Sequence, residues 1–129
     1  MSYLNKEELQ IASRFLFLSM AVVVVEQDAK RIRQGNFKIK EPYTELLGKM
    51  ATIAKNERRT LRKKMQQQEI EVVTLNQNET FSSYLFLCKG REEQRNYFNP
   101  AIRKKVEAIV RELMSAALAP SRDYASAKA

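Results

Sequence analysis

Histidine and tryptophan are absent from this chain, and cysteine occurs once, at Cys88. Without histidine, the commonest general base and the commonest zinc ligand are missing. A zinc site would have to be assembled from carboxylates and one thiol. A single cysteine excludes an internal disulfide and offers no CxxC pair. It suits a reducing interior, where its plainest role is that of a small buried apolar residue. Gly35, Gly48 and Gly90 are the only glycines and lie far apart, so they build no glycine-rich phosphate loop. With only three prolines as well, the chain favours long uninterrupted elements over a many-turned sandwich.

The remaining reactive groups assemble no site by spacing. Glu7-Glu8 and Glu92-Glu93 are adjacent pairs, which on a helix point to different sides and cannot bracket a substrate together. Cys88 has no imidazole to activate it, only Lys89 and Arg91 to lower its pKa, and Ser82-Ser83 lack a triad partner. The expectation is a non-catalytic protein with no catalytic residue, no metal and no cofactor.

One long apolar run occurs, FLFLSMAVVVV from Phe15 to Val25, interrupted only by Ser19. A membrane-spanning helix wants about 20 apolar residues. Here Arg14 and Glu26 bound the run, so no membrane span is expected. A signal peptide places positive charge before its apolar core and small residues after it. Residues 1–10 instead set Lys6 against Glu7 and Glu8, and no small-residue site precedes Glu26. The expected location is the cytoplasm.

Leu, Ala, Glu, Lys, Arg, Gln and Met make up most of the chain, and these residues lose little freedom in a helix. At 129 residues, one domain with its own core is expected. Asn5 and Glu8 match a capping box, with Leu4 and Leu9 near enough to staple the entry. No glycine or proline follows until Gly35, which predicts a first helix over residues 5–34. Four consecutive valines alone would suggest a strand. However, Leu9, Phe15/Leu16, Met20 and Val23/Val24 keep a helical spacing through the run. Such a segment is apolar almost all round and must be covered, either by other helices of the same chain or by a second copy. In the second case Leu16, Met20, Val23 and Val24 form the interface of a homodimer.

Glu41-Pro42 opens a second helix reaching about Gln67. Tyr43, Leu47, Met50, Ala54, Leu61 and Met65 share one face, interrupted by Glu57. The short join GNFKIK favours an antiparallel pair. EIEVVTL and TFSSYLFLC around NQNE predict a two-stranded hairpin over residues 69–88. A competing helix from about Asn78 rests on the spacing of Phe81, Tyr84, Leu85 and Cys88. KGREEQRNYFN reads as a polar connector, with one helical turn as the alternative. Asn99-Pro100 begins the last helix, with the stripe Ile102, Val106, Ile109/Val110, Leu113/Met114 and Ala117, and Pro120 ends it. The expected fold is therefore mainly α, a compact bundle of three to four helices with a two-stranded β-hairpin before the C-terminal helix. It forms a single helical domain over residues 1–118, with a flexible tail over 119–129.

The net charge of +8 is unevenly spread. Twelve Lys and Arg against three Glu lie between Lys30 and Lys64, a balance of +9, so the rest of the chain sums to −1. Lys55, Arg58, Arg59 and Arg62 recur at i, i+3, i+4 and i+7, beside the apolar stripe of the second helix. Lys63 and Lys64 widen the patch. A basic flank of this kind suits an anionic partner, and arginine suits phosphate and guanine alike. The order helix, basic helix, hairpin, helix resembles a winged-helix reader, although two long helices stand where that family has three short ones, and no residue role carries over. The functional expectation is a small nucleic-acid-binding protein, DNA before RNA, in a regulatory role such as transcription, or in an accessory one. Lys55, Arg58, Arg59, Arg62 and Lys63 would make the contacts, supported by Arg31, Arg33 and Lys38, with Lys30 and Lys40 beside them. The alternative is an adaptor or inhibitor that binds an acidic protein and no nucleic acid. The plainest reading of all is a solvated face that keeps the protein soluble.

Overall fold

The computed structural model describes residues 3–120. From residue 121 onward, the tail expected to be flexible lies outside the described residues.

Helix α1 (Lys6–Gln34) opens on a complete capping box. The Asn5 side chain accepts the Glu8 N–H at 2.9 Å, and the Glu8 carboxylate accepts the Asn5 N–H at 2.9 Å. Both bonds satisfy donors that the first helical turn would otherwise leave orphaned. Helix α2 (Glu41–Gln68) carries its proline in the first turn. It runs back along α1, so Ser19 meets Arg58 and Phe15 meets Arg62. Strands β1 (Ile70–Gln77), β2 (Phe81–Cys88) and β3 (Arg91–Phe98) follow as an antiparallel meander in that order, and helix α3 (Asn99–Leu118) leaves β3 without a loop.

This is an α+β arrangement of three helices and a three-stranded antiparallel sheet, which overturns the expected bundle of three to four helices with a two-stranded hairpin. The segment read as a connector, REEQRNYF, pairs with β2 along its whole length, from Cys88↔Arg91 to Phe81↔Phe98. The link is a two-residue turn in which Lys89 (φ 51°) and Gly90 (φ 79°) are both left-handed. That geometry matches the right-handed twist of paired strands. No helix starts at Asn78. Its side-chain oxygen instead accepts the N–H groups of Thr80 and Phe81, at 2.8 and 2.7 Å, and turns the chain from β1 into β2.

The apolar run of α1 is covered by its own chain on most sides. Phe17, Leu18, Ala21 and Val25 pack with Met50 and Ala54 of α2 and with Ile109 and Leu113 of α3. One turn earlier, Ile11 and Ala12 join Met65 and the inward residues Ile70, Tyr84, Phe86 and Cys88. α1 is long and apolar enough to cross a membrane by length and composition, with an 18-residue window of mean hydropathy 1.7. Of that window, 44% is buried inside the chain, chiefly in these two clusters. Val23 and Val24 remain outside them, 53% and 39% exposed.

α2 passes into β1 through a single residue, Glu69, held at φ 57° and ψ 45°. A left-handed conformation brings a Cβ too close to its own backbone, and only glycine escapes that penalty. Glu69→Gly is therefore expected to stabilise the fold by about 0.5–1 kcal/mol. A raised urea midpoint with unchanged m value would show it. A lowered midpoint would mean that the glutamate side chain contributes more than the backbone conformation costs.

Candidate nucleic-acid interface

Between α1 and α2 runs an open groove of about 490 Å³ whose wall includes Ser19, Val23, Glu26, Lys55, Arg58, Arg59 and Arg62. The spacing of the basic residues puts them on the edge of α2 that borders α1, and α1 supplies the groups that orient them. Ser19 donates its hydroxyl to the Phe15 carbonyl at 2.7 Å, one turn back on α1. Its oxygen accepts Arg58 Nε at 2.8 Å. The Arg58 guanidinium lies 4.9 Å above the Phe15 ring centroid, and the Arg62 guanidinium lies 5.8 Å from the same ring. An arginine stacked on an aromatic face and bonded through Nε has its orientation set, and its two terminal nitrogens are left with donors for a further acceptor.

The other expected contacts are placed differently. Lys55 is engaged by Glu26 at 2.5 Å, so its charge is met within the chain. Among the described residues, the Arg59 side chain reaches only Asn56, at 3.4 Å. Lys63 and Lys64 are exposed further along α2. Arg31, Arg33 and Lys38 lie at the far end of the helical hairpin. From Glu41 to Arg62 the chain is helical, a rise of about 32 Å at 1.5 Å per residue. The structure thus brings Arg58, Arg59 and Arg62 together and separates them from Arg31, Arg33 and Lys38.

Glu57 is the one carboxylate of α2 beyond its first turns, and it does not line this groove. Arg14 of α1 donates to both of its oxygens, Nε at 2.7 Å and a terminal nitrogen at 3.0 Å, and gives another terminal nitrogen to Glu112 of α3 at 2.9 Å. The hydrogen bonds to Glu57, then those to Glu112, push the Arg14 pKa up. One arginine therefore ties all three helices and withdraws the acid that would neutralise the basic edge. Among the described residues, no carboxylate lies within ion-pair distance of Arg58, Arg59, Arg62, Lys63 or Lys64.

The four residues expected at a dimer interface fall on one side of α1 by spacing, and Met20 and Val24 line the same groove. Leu16 and Met20 pack against both core clusters. Val23 lines the α1–α2 groove. Val24 lines a wider groove of about 920 Å³ between α1, α3 and the end of the sheet, floored also by Tyr84, Ile102 and Val106.

Cys88 is fully buried. Its thiol lies 3.3 Å from both the Glu8 carboxylate and the Gln68 carbonyl. Burial, reinforced by Glu8, pushes the thiol pKa up, the reverse of an activating effect from Lys89 or Arg91. Glu8 in turn receives Arg91 through two nitrogens, at 2.8 and 2.5 Å. Those bonds, then the Asn5 N–H, hold its carboxyl down at about 2 against a usual 4.5. Among the described residues, no group of three or more acidic or thiol side chains is placed to hold a metal ion.

Phe15, Ser19 and Arg14 were not legible as parts of this site. Their roles follow from the α1–α2 register, which spacing within one helix does not reveal.

The family model for YhjD protein matches residues 3–118. The uncharacterized protein YhjD of Bacillus subtilis (strain 168) is 32% identical over 110 residues, 85% of this chain and 92% of that protein. No solved structure matches.

Proposed function

The chain belongs to the YhjD protein family, and we propose that it is a non-catalytic nucleic-acid-binding protein that grips the phosphate backbone through the α1–α2 edge. The observation that carries this reading is the isolation of positive charge. Arg14 occupies Glu57, and among the described residues the cations from Arg58 to Lys64 have no carboxylate within ion-pair distance. Phosphate contacts supply most non-specific affinity for nucleic acid. A guanidinium held by Ser19 and Phe15 has less orientational freedom to lose on meeting an anion. Arg58, Arg59 and Arg62 are assigned the contacts, Lys63 and Lys64 extend the field, and Lys55 is secondary because Glu26 holds it. Duplex DNA is the favoured ligand and the role is regulatory or accessory.

A mobility shift over a salt series, with duplex DNA and RNA probes in parallel, tests this. Arg58→Ala with Arg59→Ala should weaken binding and reduce the slope of log K against log salt by about 2, since each phosphate contact contributes about 0.9. The circular dichroism spectrum should not change. Equal binding by the double variant would remove the edge from the interface.

A second reading, a module that docks an acidic protein, draws on the same cations. The outer sheet face favours it, where Val73 and Leu75 are 40% and 45% exposed. It is the reading left standing if the chain binds neither nucleic acid at physiological salt.

A further inference from the structure

We infer that the tip of the α1–α2 hairpin is a docking site for the surface of an anionic lipid bilayer. From Lys30 to Tyr43 the chain carries five cations and one carboxylate, Glu41, and of the five Arg31 has Asp28 at 3.8 Å. In the same place it exposes large apolar side chains, Phe37 at 52%, Ile39 at 62% and, in the first turn of α2, Tyr43 at 55%. Phe37 and Ile39 alternate with Lys38 and Lys40 in FKIK.

The display is built by the chain's own contacts. Gly35 closes α1 with its N–H on the Ile32 carbonyl at 3.2 Å. Lys40 reaches back to the Arg33 carbonyl with its ammonium at 3.1 Å. A Cβ on Gly35 would stand 2.8 Å from Phe37 Cε2, so the absence of that carbon lets the ring lie against the helix end while half of it stays in solvent. The apolar groups are therefore presented on an ordered loop and contribute to neither core cluster.

Exposed Phe, Ile and Tyr are unfavourable in water. Arranged beside Lys and Arg, they fit the boundary between headgroups and acyl chains. There the apolar groups leave water, the aromatic rings occupy the interfacial region, and the long basic side chains extend to anionic headgroups. The shape favours a bilayer over a folded partner, because no residue of the tip lines any groove described above. It favours a bilayer over nucleic acid because bases stack on Phe37 and Tyr43 but not on Ile39, the most exposed of the three, whereas the acyl-chain boundary takes up all three. Arg31, Arg33 and Lys38, expected from sequence to assist with nucleic acid, belong to this tip. The α2 arginines Arg58, Arg59 and Arg62 lie about 26–32 Å along the helix from its start at this tip.

The test is co-sedimentation of the full chain with extruded phosphatidylcholine vesicles, either neutral or containing about one-third phosphatidylglycerol. Binding is expected to the anionic vesicles alone and should weaken as salt is raised. Phe37→Ser with Ile39→Ser should reduce the partition coefficient about tenfold or more with the fold retained by circular dichroism. Arg33→Gln with Lys38→Gln should remove much of the salt-sensitive part. Arg58→Ala with Arg59→Ala should bind vesicles as the wild type does, which keeps this test separate from the nucleic-acid reading. Absence of binding to anionic vesicles would overturn the assignment. So would binding that survives Phe37→Ser/Ile39→Ser and fails in Arg58→Ala/Arg59→Ala. Loss of nucleic-acid affinity in Phe37→Ser/Ile39→Ser without any vesicle binding would give the tip to nucleic acid instead.

Discussion

Truncating Leu18 to alanine is expected to cost about 3–5 kcal/mol of folding stability. The side chain has no exposed surface and sits where all three helices meet, among Phe17, Ala21, Met50 and Ile109. Its neighbours are held by two long helices and a third that is anchored to the sheet, so the hole cannot close by moving one loop. Stability then falls by the transfer free energy of the lost carbons plus the cost of the cavity left behind. Against a total of about 5–15 kcal/mol, that is a large share, and the melting temperature should drop by about 10 °C or more. The paired control is Val23→Ala, five residues on and 53% exposed, which should stay within about 0.5 kcal/mol. Chemical denaturation of both variants, with mass by light scattering, decides the matter. If Val23→Ala proved as costly as Leu18→Ala, the outer side of α1 would be covered too, as it would be in a homodimer.

The contrast between Leu18 and Val23 also shows what sequence alone could establish about α1. The helix, its Asn5/Glu8 cap and its end near Gly35 are local events, governed by residues within one or two turns of each other, and they were readable. So were the limits of α2, at Glu41-Pro42 and about Gln67, and the two apolar stretches that became β1 and β2. Which side of an almost wholly apolar segment would be left uncovered was not readable. That depends on where α2, α3 and the sheet arrive, and four valines in a row carry no polar mark on the exposed side.

β3 was missed for a different reason. REEQRNYF has no β-branched or aromatic residue before Tyr97, and its charges suggest a connector. As an edge strand it needs only to hydrogen-bond to β2 and place alternate residues inward. Arg91 and Tyr97 do so, the former on Glu8 and the latter against Phe17 and Tyr84 at ring distances of 5.3 and 6.1 Å. The available signal was Gly90, second in a two-residue turn directly after a strand-like run. The basic edge of α2 was legible as a spacing of charges. That Glu57 would be taken up by Arg14, leaving those charges unopposed, was not. An ion pair between residues 43 positions apart depends on tertiary register.

The same limit hid the contact that ties the start of α1 to the sheet, and this contact makes the protein sensitive to acid. Glu8 is both the capping-box residue of α1 and the receiver of Arg91 at the start of β3. Its carboxyl is held down at about 2 in the folded chain, against 4.5 for an unperturbed glutamate, with the Arg91 hydrogen bonds as the largest cause. Between those two pH values the unfolded chain binds a proton at Glu8 that the folded chain does not, so stability must rise with pH across the window. The contribution is fully present above about 4.5 and is lost as pH falls toward 2. Urea midpoints of the wild type should therefore climb from pH 2.5 to pH 5, values chosen to span about that window. In Arg91→Leu the main cause of the low carboxyl pKa is gone, while burial still disfavours the charged form. The variant should be less stable than wild type at pH 5, and its midpoints should climb much less over the same range. Glu8→Gln, which cannot titrate, should flatten the same part of the profile. An equally steep climb in all three proteins would mean that other carboxylates set the acid response and that the Glu8–Arg91 contact is slack in solution.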